Sequence, residues 1–218
     1  MTFYEIVNVI IVGKEMDTPF QYFHYLELCN PNLQGAKEYI LYPGMEFGSR
    51  EKWWPDSGMR PTAHEGIDIC YYRDAAGEER TLPLTSNLTV MASGRVVAIC
   101  RDFLGYSLFL DHEYEDELRF LSVYAHIAPH NSIAAGQYLH PGDSIGSIAD
   151  TTGRKNRMVA HLHVTLMQVE RFVSAEKYDW DLINRSPYSR LIDPLQMTAA
   201  EKIVRRPVNP HKEKGMQQ

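Results

Sequence analysis

Along most of this chain, short apolar runs alternate with turn residues, and many of the runs carry the two-residue period of a β-strand. The clearest is Ala160-His161-Leu162-His163-Val164-Thr165-Leu166, in which one face carries His161 and His163 and the other is apolar. Further strands are expected within 6–12, 19–29, 37–42, 66–72, 88–92, 94–101, 106–112, 118–126, 144–148 and 159–169, with Gly, Asp, Asn or Pro between most of them. Residues 45–63, with Trp53, Trp54, Pro55, Gly58 and Pro61, read as a long loop of the kind that lines binding sites. The only good helix signal comes late, where Thr198 is placed to cap 199–204 ahead of Arg205-Arg206. The tail 207–218 is polar and expected to be disordered. The pattern predicts a mainly β fold, an antiparallel sheet closed into a sandwich or barrel-like core, with a short C-terminal helix.

Composition narrows the functional classes. The 218 residues carry a net charge of −6 with acids and bases well mixed. There is no basic face for nucleic acid and no pull toward anionic lipid. The apolar run 6–12 follows Glu5 and lacks the layout of a secretory signal. At seven residues it is also far short of the ~20 a membrane helix needs. Cys29, Cys70 and Cys100 form no CxxC pair, so they read as small buried thiols and not as a zinc ribbon or redox motif.

The chemistry lies in the histidines. His64-Glu65-Gly66-Ile67-Asp68 suggests the HExxH zinc helix at first sight, but the fourth residue after His64 is Asp68, and Gly66 opposes a helix. Read as an extended segment, His64 and Asp68 share a face, Gly66 leaves room for an ion between them, and Glu65 points to the other side. His161 and His163, two apart on one strand face, can both approach one ion. Alternatively, one binds the ion while the other reaches a bound water. Tyr124-Ala125-His126 adds a histidine at a strand end. Catalytic zinc sites commonly use three His or carboxylate ligands and keep one position open. Spacing alone does not decide which of the four histidines are ligands. His112 reads as structural, and His24, His130, His140 and His211 as surface or loop residues.

These motifs stand in an order that resembles the lysostaphin/LytM-type zinc endopeptidases over roughly residues 43–170, extending toward 197. Phe47-Gly48-Ser49-Arg50 is similar to the family's FGxR element, His64-Glu65-Gly66-Ile67-Asp68 to its HxGxD motif, and Tyr124-Ala125-His126 to its YxH motif. Pro141-Gly142-Asp143-Ser144-Ile145-Gly146 resembles a family turn, and His161-Leu162-His163 the closing HLH. Val159-Ala160 stands where the family usually has Gly-Pro. The resemblance implies a small antiparallel β core with an open groove. It implies one zinc ion on His64, Asp68 and His163, with His126 and His161 as the catalytic pair. It further implies hydrolysis of peptide bonds, with peptidoglycan stems or cross-bridges as substrate and a periplasmic or extracellular setting; a cytoplasmic setting is the alternative, because no secretory signal is visible. A peptidase for non-wall peptides and a non-catalytic binding module are the alternatives. The expected organisation is an N-terminal part, 1–42, that adds strands, a lid or a plug, a peptidase domain over 43–197, and a C-terminal helix and tail over 198–218.

Overall fold

The computed structural model describes residues 20–55, 58–112, 118–152, 158–171 and 173–212. The run 6–12 and the tail end 213–218 lie outside these residues. Within them the protein is mainly β, as the alternating pattern predicts. A nine-stranded sheet runs β12 (Ser189–Ile192), β11 (Leu162–Glu170), β8 (Leu118–Pro129), β7 (Tyr106–Asp111), β6 (Gly94–Arg101), β9 (Tyr138–Leu139). β2 (Ile67–Ile69) pairs with β11, and β10 (Ser144–Ile148) joins β8 to β5 (Leu88–Thr89). All pairs in this sheet are antiparallel. A second sheet has the order β13 (Ile203–Arg205), β1 (Glu38–Leu41), β3 (Tyr71–Arg73), β4 (Glu79–Thr81), with β1 and β13 parallel.

The period-two pattern sorts the strands onto two cores. Leu162, Val164 and Leu166 of β11 face one, together with Leu108, Leu110, Tyr124 and Ile127. Met167 and Val169 face the other, with Phe109, Leu121 and Val123. His163 and Thr165 stand on the same face of β11 as Met167, one strand end further along. The second core therefore opens, at that end of the sheet, into the site described below. Helix α2 (Trp180–Arg185) covers this core with Leu182 and Ile183, and the Asp179 side chain caps it by accepting from the Leu182 N–H at 3.0 Å.

Three expectations need correction. Residues 19–29 are not a strand, because Tyr22–Leu28 form helix α1. Tyr22, Phe23 and Leu26 have helical spacing and are buried in the first core, and the aromatic content obscured that period. Residues 199–204 are not a helix. Thr198 ends the short helix α3 (Pro194–Met197), its hydroxyl donating to the Pro194 carbonyl at 2.7 Å. The β-branched pair Ile203-Val204 then aligns with Tyr39 to Leu41 as β13. The tail is ordered as far as residue 212. The Asn209 side-chain amide donates to the Trp53 carbonyl at 2.9 Å, and the His211 ring stacks on Tyr71, 4.6 Å between centroids. Of the three cysteines only Cys70 is fully buried, and all three are free. Among the described residues, no helix is long and apolar enough to cross a membrane.

Candidate metal centre and catalytic cleft

Two neighbouring strands build the centre. In the β2–β11 pair, Asp68 lies directly opposite His163. Ile67 and Ile69 point into the first core, so alternation turns Asp68 to the opposite face, where His163 projects. Gly66 has a different role from the one expected. A Cβ there would lie 2.0 Å from the Val164 carbonyl oxygen, so glycine makes room for the β11 backbone and not for an ion.

His64 comes from the loop before β2, and the stretch 45–49 holds it. The Met45 carbonyl accepts from the Asp68 N–H and the Ser49 carbonyl from the His64 N–H, each at 2.9 Å, while Gly48 N–H donates to the His64 carbonyl at 2.9 Å. The His64 ring Nδ1 lies 3.0 Å from the Glu46 carbonyl. A carbonyl only accepts, so Nδ1 carries the proton and Nε2 turns a lone pair inward. His161 repeats the arrangement, with Nδ1 2.8 Å from the Val159 carbonyl.

The inward atoms converge. His64 Nε2 is 3.1 Å from Asp68 Oδ1 and 3.1 Å from His163 Nδ1, and His163 Nδ1 is 2.9 Å from Asp68 Oδ1. Zinc binds nitrogen and oxygen at ~2.0–2.1 Å, so the edge of a tetrahedral site is about 3.3 Å. A triangle of this size, made of two imidazoles and one carboxylate, fits three ligands of such an ion. The outer atoms are held as well. Asp68 Oδ2 accepts from Trp53 Nε1 at 2.6 Å and from Arg60 at 3.3 Å, and His163 Nε2 is 2.8 Å from the Thr165 hydroxyl. Such outer partners orient ligands and raise their basicity.

Burial works to raise the Asp68 pKa. The facing His64 and His161, with hydrogen bonds from His161 and His163, outweigh it and hold the carboxyl well below the usual range. Burial pushes His163 below the usual histidine value despite Asp68 beside it. Both shifts keep the ligand atoms deprotonated at neutral pH, as a metal requires.

Beside the triangle lies a cleft of about 280 Å³, lined by Asp68, His126, His161, His163 and, at its rim, Trp54, Phe103 and Trp180. The His161 ring reaches the centre from one side, Nε2 3.5 Å from Asp68 Oδ1, and the His126 ring stands 5.0 Å from that of His161. All five side chains singled out in the sequence thus meet in one place. Glu65 does not point away as expected. It lines the same cleft, and a carboxylate oxygen of Glu65, a ring nitrogen of His64 and one of His163 all lie within 4.8 Å of one another. No described residue of 20–42 lines this cleft.

Sequence reasoning missed several members. Trp53, which in the sequence is part of the loop 45–63, is 1% exposed and donates to Asp68 Oδ2. Asp102 and Trp180 carried no signal, because each joins the site through a long-range contact; Arg60 and Thr165 lie eight and two residues from their partners Asp68 and His163, but neither residue type marks a metal site by itself. His112 is structural as expected, 2.8 Å from the Ser93 carbonyl and 3.0 Å from the Ser122 hydroxyl.

Residues 62–175, more than half of the chain, match Peptidase family M23, and the chain belongs to that family. Similar solved structures include lysostaphin in solution, with 18% identity and a TM-score of 0.42 over 74% of this chain and 50% of that one. A zinc-containing peptidase from Vibrio cholerae shows 21% identity and a TM-score of 0.41 over 67% and 38% of the two chains. A catalytic-domain mutant of the prophage-encoded M23 protein EnpA from Enterococcus faecalis shows 16% identity and a TM-score of 0.37 over 59% and 88%. The chain thus spans half of the lysostaphin chain and less of the Vibrio cholerae one. Among curated proteins, none matches.

Proposed function

We propose that this protein is a zinc endopeptidase that cleaves peptide bonds in peptidoglycan stems or cross-bridges. The observation that carries the reading is the triangle of His64 Nε2, Asp68 Oδ1 and His163 Nδ1, 2.9–3.1 Å on each side, open to a cleft that also holds two further histidines. His64, Asp68 and His163 would hold a single zinc ion, which would supply Lewis-acid activation of a water molecule and of the scissile carbonyl.

The chain's own residues do the rest. Trp53 and Arg60 fix the Asp68 carboxylate, and the Glu46 carbonyl fixes the His64 tautomer. His126 and His161 flank the reacting carbonyl. One takes the proton of the attacking water and passes it to the leaving amine, and the other steadies the oxyanion. The aromatic rim of Trp54, Phe103 and Trp180 borders an open cleft, which suits an extended, small-residue or D-configured peptide. The catalytic unit is residues 43–197, braced on the far side of the sheet by α1 and at the β3 edge of the second sheet by β1, which β13 flanks.

The test combines metal analysis of the purified protein with mass spectrometry of digested peptidoglycan. One equivalent of zinc, lost in His163→Ala, together with new peptide termini in the digest, supports the reading. Zinc with cleavage only of non-wall peptides moves the substrate elsewhere. Absence of both zinc and cleavage makes the protein a binding module.

A further inference from the structure

His126 is held unlike any other histidine of the cleft. β7 and β8 pair as Tyr106 with Ile127 and Leu108 with Tyr124, so β8 carries one extra residue at 125–126. At this bulge His126 takes φ +63, the only positive value at a non-glycine among the described residues. A bulge re-aims a side chain, and such backbone strain costs ~1–3 kcal/mol and persists only where its surroundings enforce it. The enforcing group is Asp102, whose side chain is fully buried. Its Oδ1 accepts from Leu104 N–H at 2.8 Å and Gly105 N–H at 2.6 Å, and its Oδ2 accepts from the Ser107 hydroxyl at 2.8 Å and from the backbone N–H of His126 at 3.0 Å.

The same carboxylate faces the ring. His126 Nδ1 is 3.2 Å from Asp102 Oδ1, close enough for an ion pair though not aligned for a good hydrogen bond. Both oxygens of Asp102 are acceptors, so a lone pair on Nδ1 would be repelled, and the proton is favoured there. Ser107 extends the network, because its Oγ accepts from Trp180 Nε1 at 3.0 Å. The Trp180 ring lies nearly parallel to that of His126, at 6° and 6.0 Å between centroids. Trp180 opens α2 and lies beyond the family-matched residues 62–175. By contrast, the outer nitrogen of His161 meets only a backbone carbonyl.

We propose that Asp102, Ser107 and Trp180 are positioning residues that hold His126 with Nδ1 protonated and Nε2 presented to the cleft, which makes His126 rather than His161 the proton acceptor of the reaction. A buried carboxylate behind Nδ1 stabilises the ring when Nε2 takes a proton; a carbonyl does this less well. This rests on the peptidase reading for its kinetic consequence, but not for the tautomer.

The experiment has two arms on the zinc-loaded protein. In the first, nitrogen NMR of the histidine rings, with the His126 signals assigned by their loss in His126→Gln, reads the tautomer. Wild type should show Nδ1–H, and Asp102→Asn and Ser107→Ala should show a mixture. In the second, peptide cleavage by Asp102→Asn should lose ~10–100-fold in kcat, the usual range for an outer partner, with KM and zinc content unchanged. Ser107→Ala, which removes one hydroxyl and is the safer variant for folding, and Trp180→Phe, which keeps the ring but not the donor, should lose kcat in the same way to a smaller degree. A wild-type Nε2–H tautomer, or ring signals unmoved in both Asp102→Asn and Ser107→Ala, overturns the proposal. So does a rise in KM with kcat intact. If wild type cleaves nothing, the peptidase reading falls, while the first arm still decides the network.

Discussion

Asp68 and His163 stand directly opposite each other in the antiparallel β2–β11 pair, and their ligand atoms are 2.9 Å apart. A hydrogen-bond ladder thus sets the geometry of the centre, and anything that moves β2 against β11 moves Asp68 away from His163.

Gly66→Ala should therefore damage fold and site at once. The new Cβ would meet the Val164 backbone at 2.0 Å, where no flexible side chain can yield. Overpacking of this kind costs ~1–3 kcal/mol. Denaturant unfolding of the metal-free protein should show a loss near the top of that range, and zinc titration a weaker site. Normal stability with normal zinc affinity would contradict the role given to this glycine.

Trp53→Phe keeps most of the buried ring but removes the indole donor from Asp68 Oδ2. Loss of an outer partner typically weakens metal binding ~10–100-fold. Competition with a chromogenic chelator should show a drop in that range with the melting curve little changed. Affinity equal to wild type would mean that Arg60 alone orients the carboxylate.

His126→Ala should retain one zinc and lose ~10²–10⁴-fold in peptide cleavage, the usual contribution of a general acid–base group. His163→Ala should lose the zinc itself. Metal analysis of the two variants side by side separates ligand from catalyst, and an empty site in His126→Ala would break the division made here.

Stability should fall on acidification through the buried histidines. Burial pushes His112 down to about 4, partly offset by its bond to the Ser93 carbonyl, whereas an unfolded histidine titrates near ~6.5. Between these values the unfolded chain takes up a proton that the folded one refuses. The stability present above about pH 6.5 is thus lost as pH falls to about 4, by roughly 3 kcal/mol for this residue. His126, also lowered to about 4, chiefly by burial, adds loss of the same sign. In His112→Asn the melting temperature should fall less steeply between pH 7 and 4. An unchanged slope would show that His112 is not buried in its neutral form.

Local pattern was enough to single out five side chains that the fold brings together. His161-Leu162-His163 carries its own alternation, so the face shared by the two histidines was legible from seven residues. The His64 to Asp68 segment was legible as a motif but not in detail. Gly66 answers to a strand almost 100 residues away, and Glu65 turns into the cleft because His64 lies in a loop before β2 begins. The same limit explains α1 and β13. Tyr22, Phe23 and Leu26 suit either a strand or a helix until a core claims one face, and Ile203-Val204 became a strand because Tyr39 to Leu41 offered an edge.

The sequence by itself determined that this is a mainly β protein of an M23-type peptidase family, since period-two alternation and the order of short histidine motifs are properties of local stretches. Only the tertiary structure decided what holds those histidines: Trp53 and Arg60 behind Asp68, the Glu46 carbonyl behind His64, and Asp102, Ser107 and Trp180 around His126. The reason is physical. A strand's facing is set by its own residues, whereas a hydrogen-bond partner is whatever donor or acceptor the folded chain brings within about 3 Å, and no spacing rule along the chain encodes that encounter.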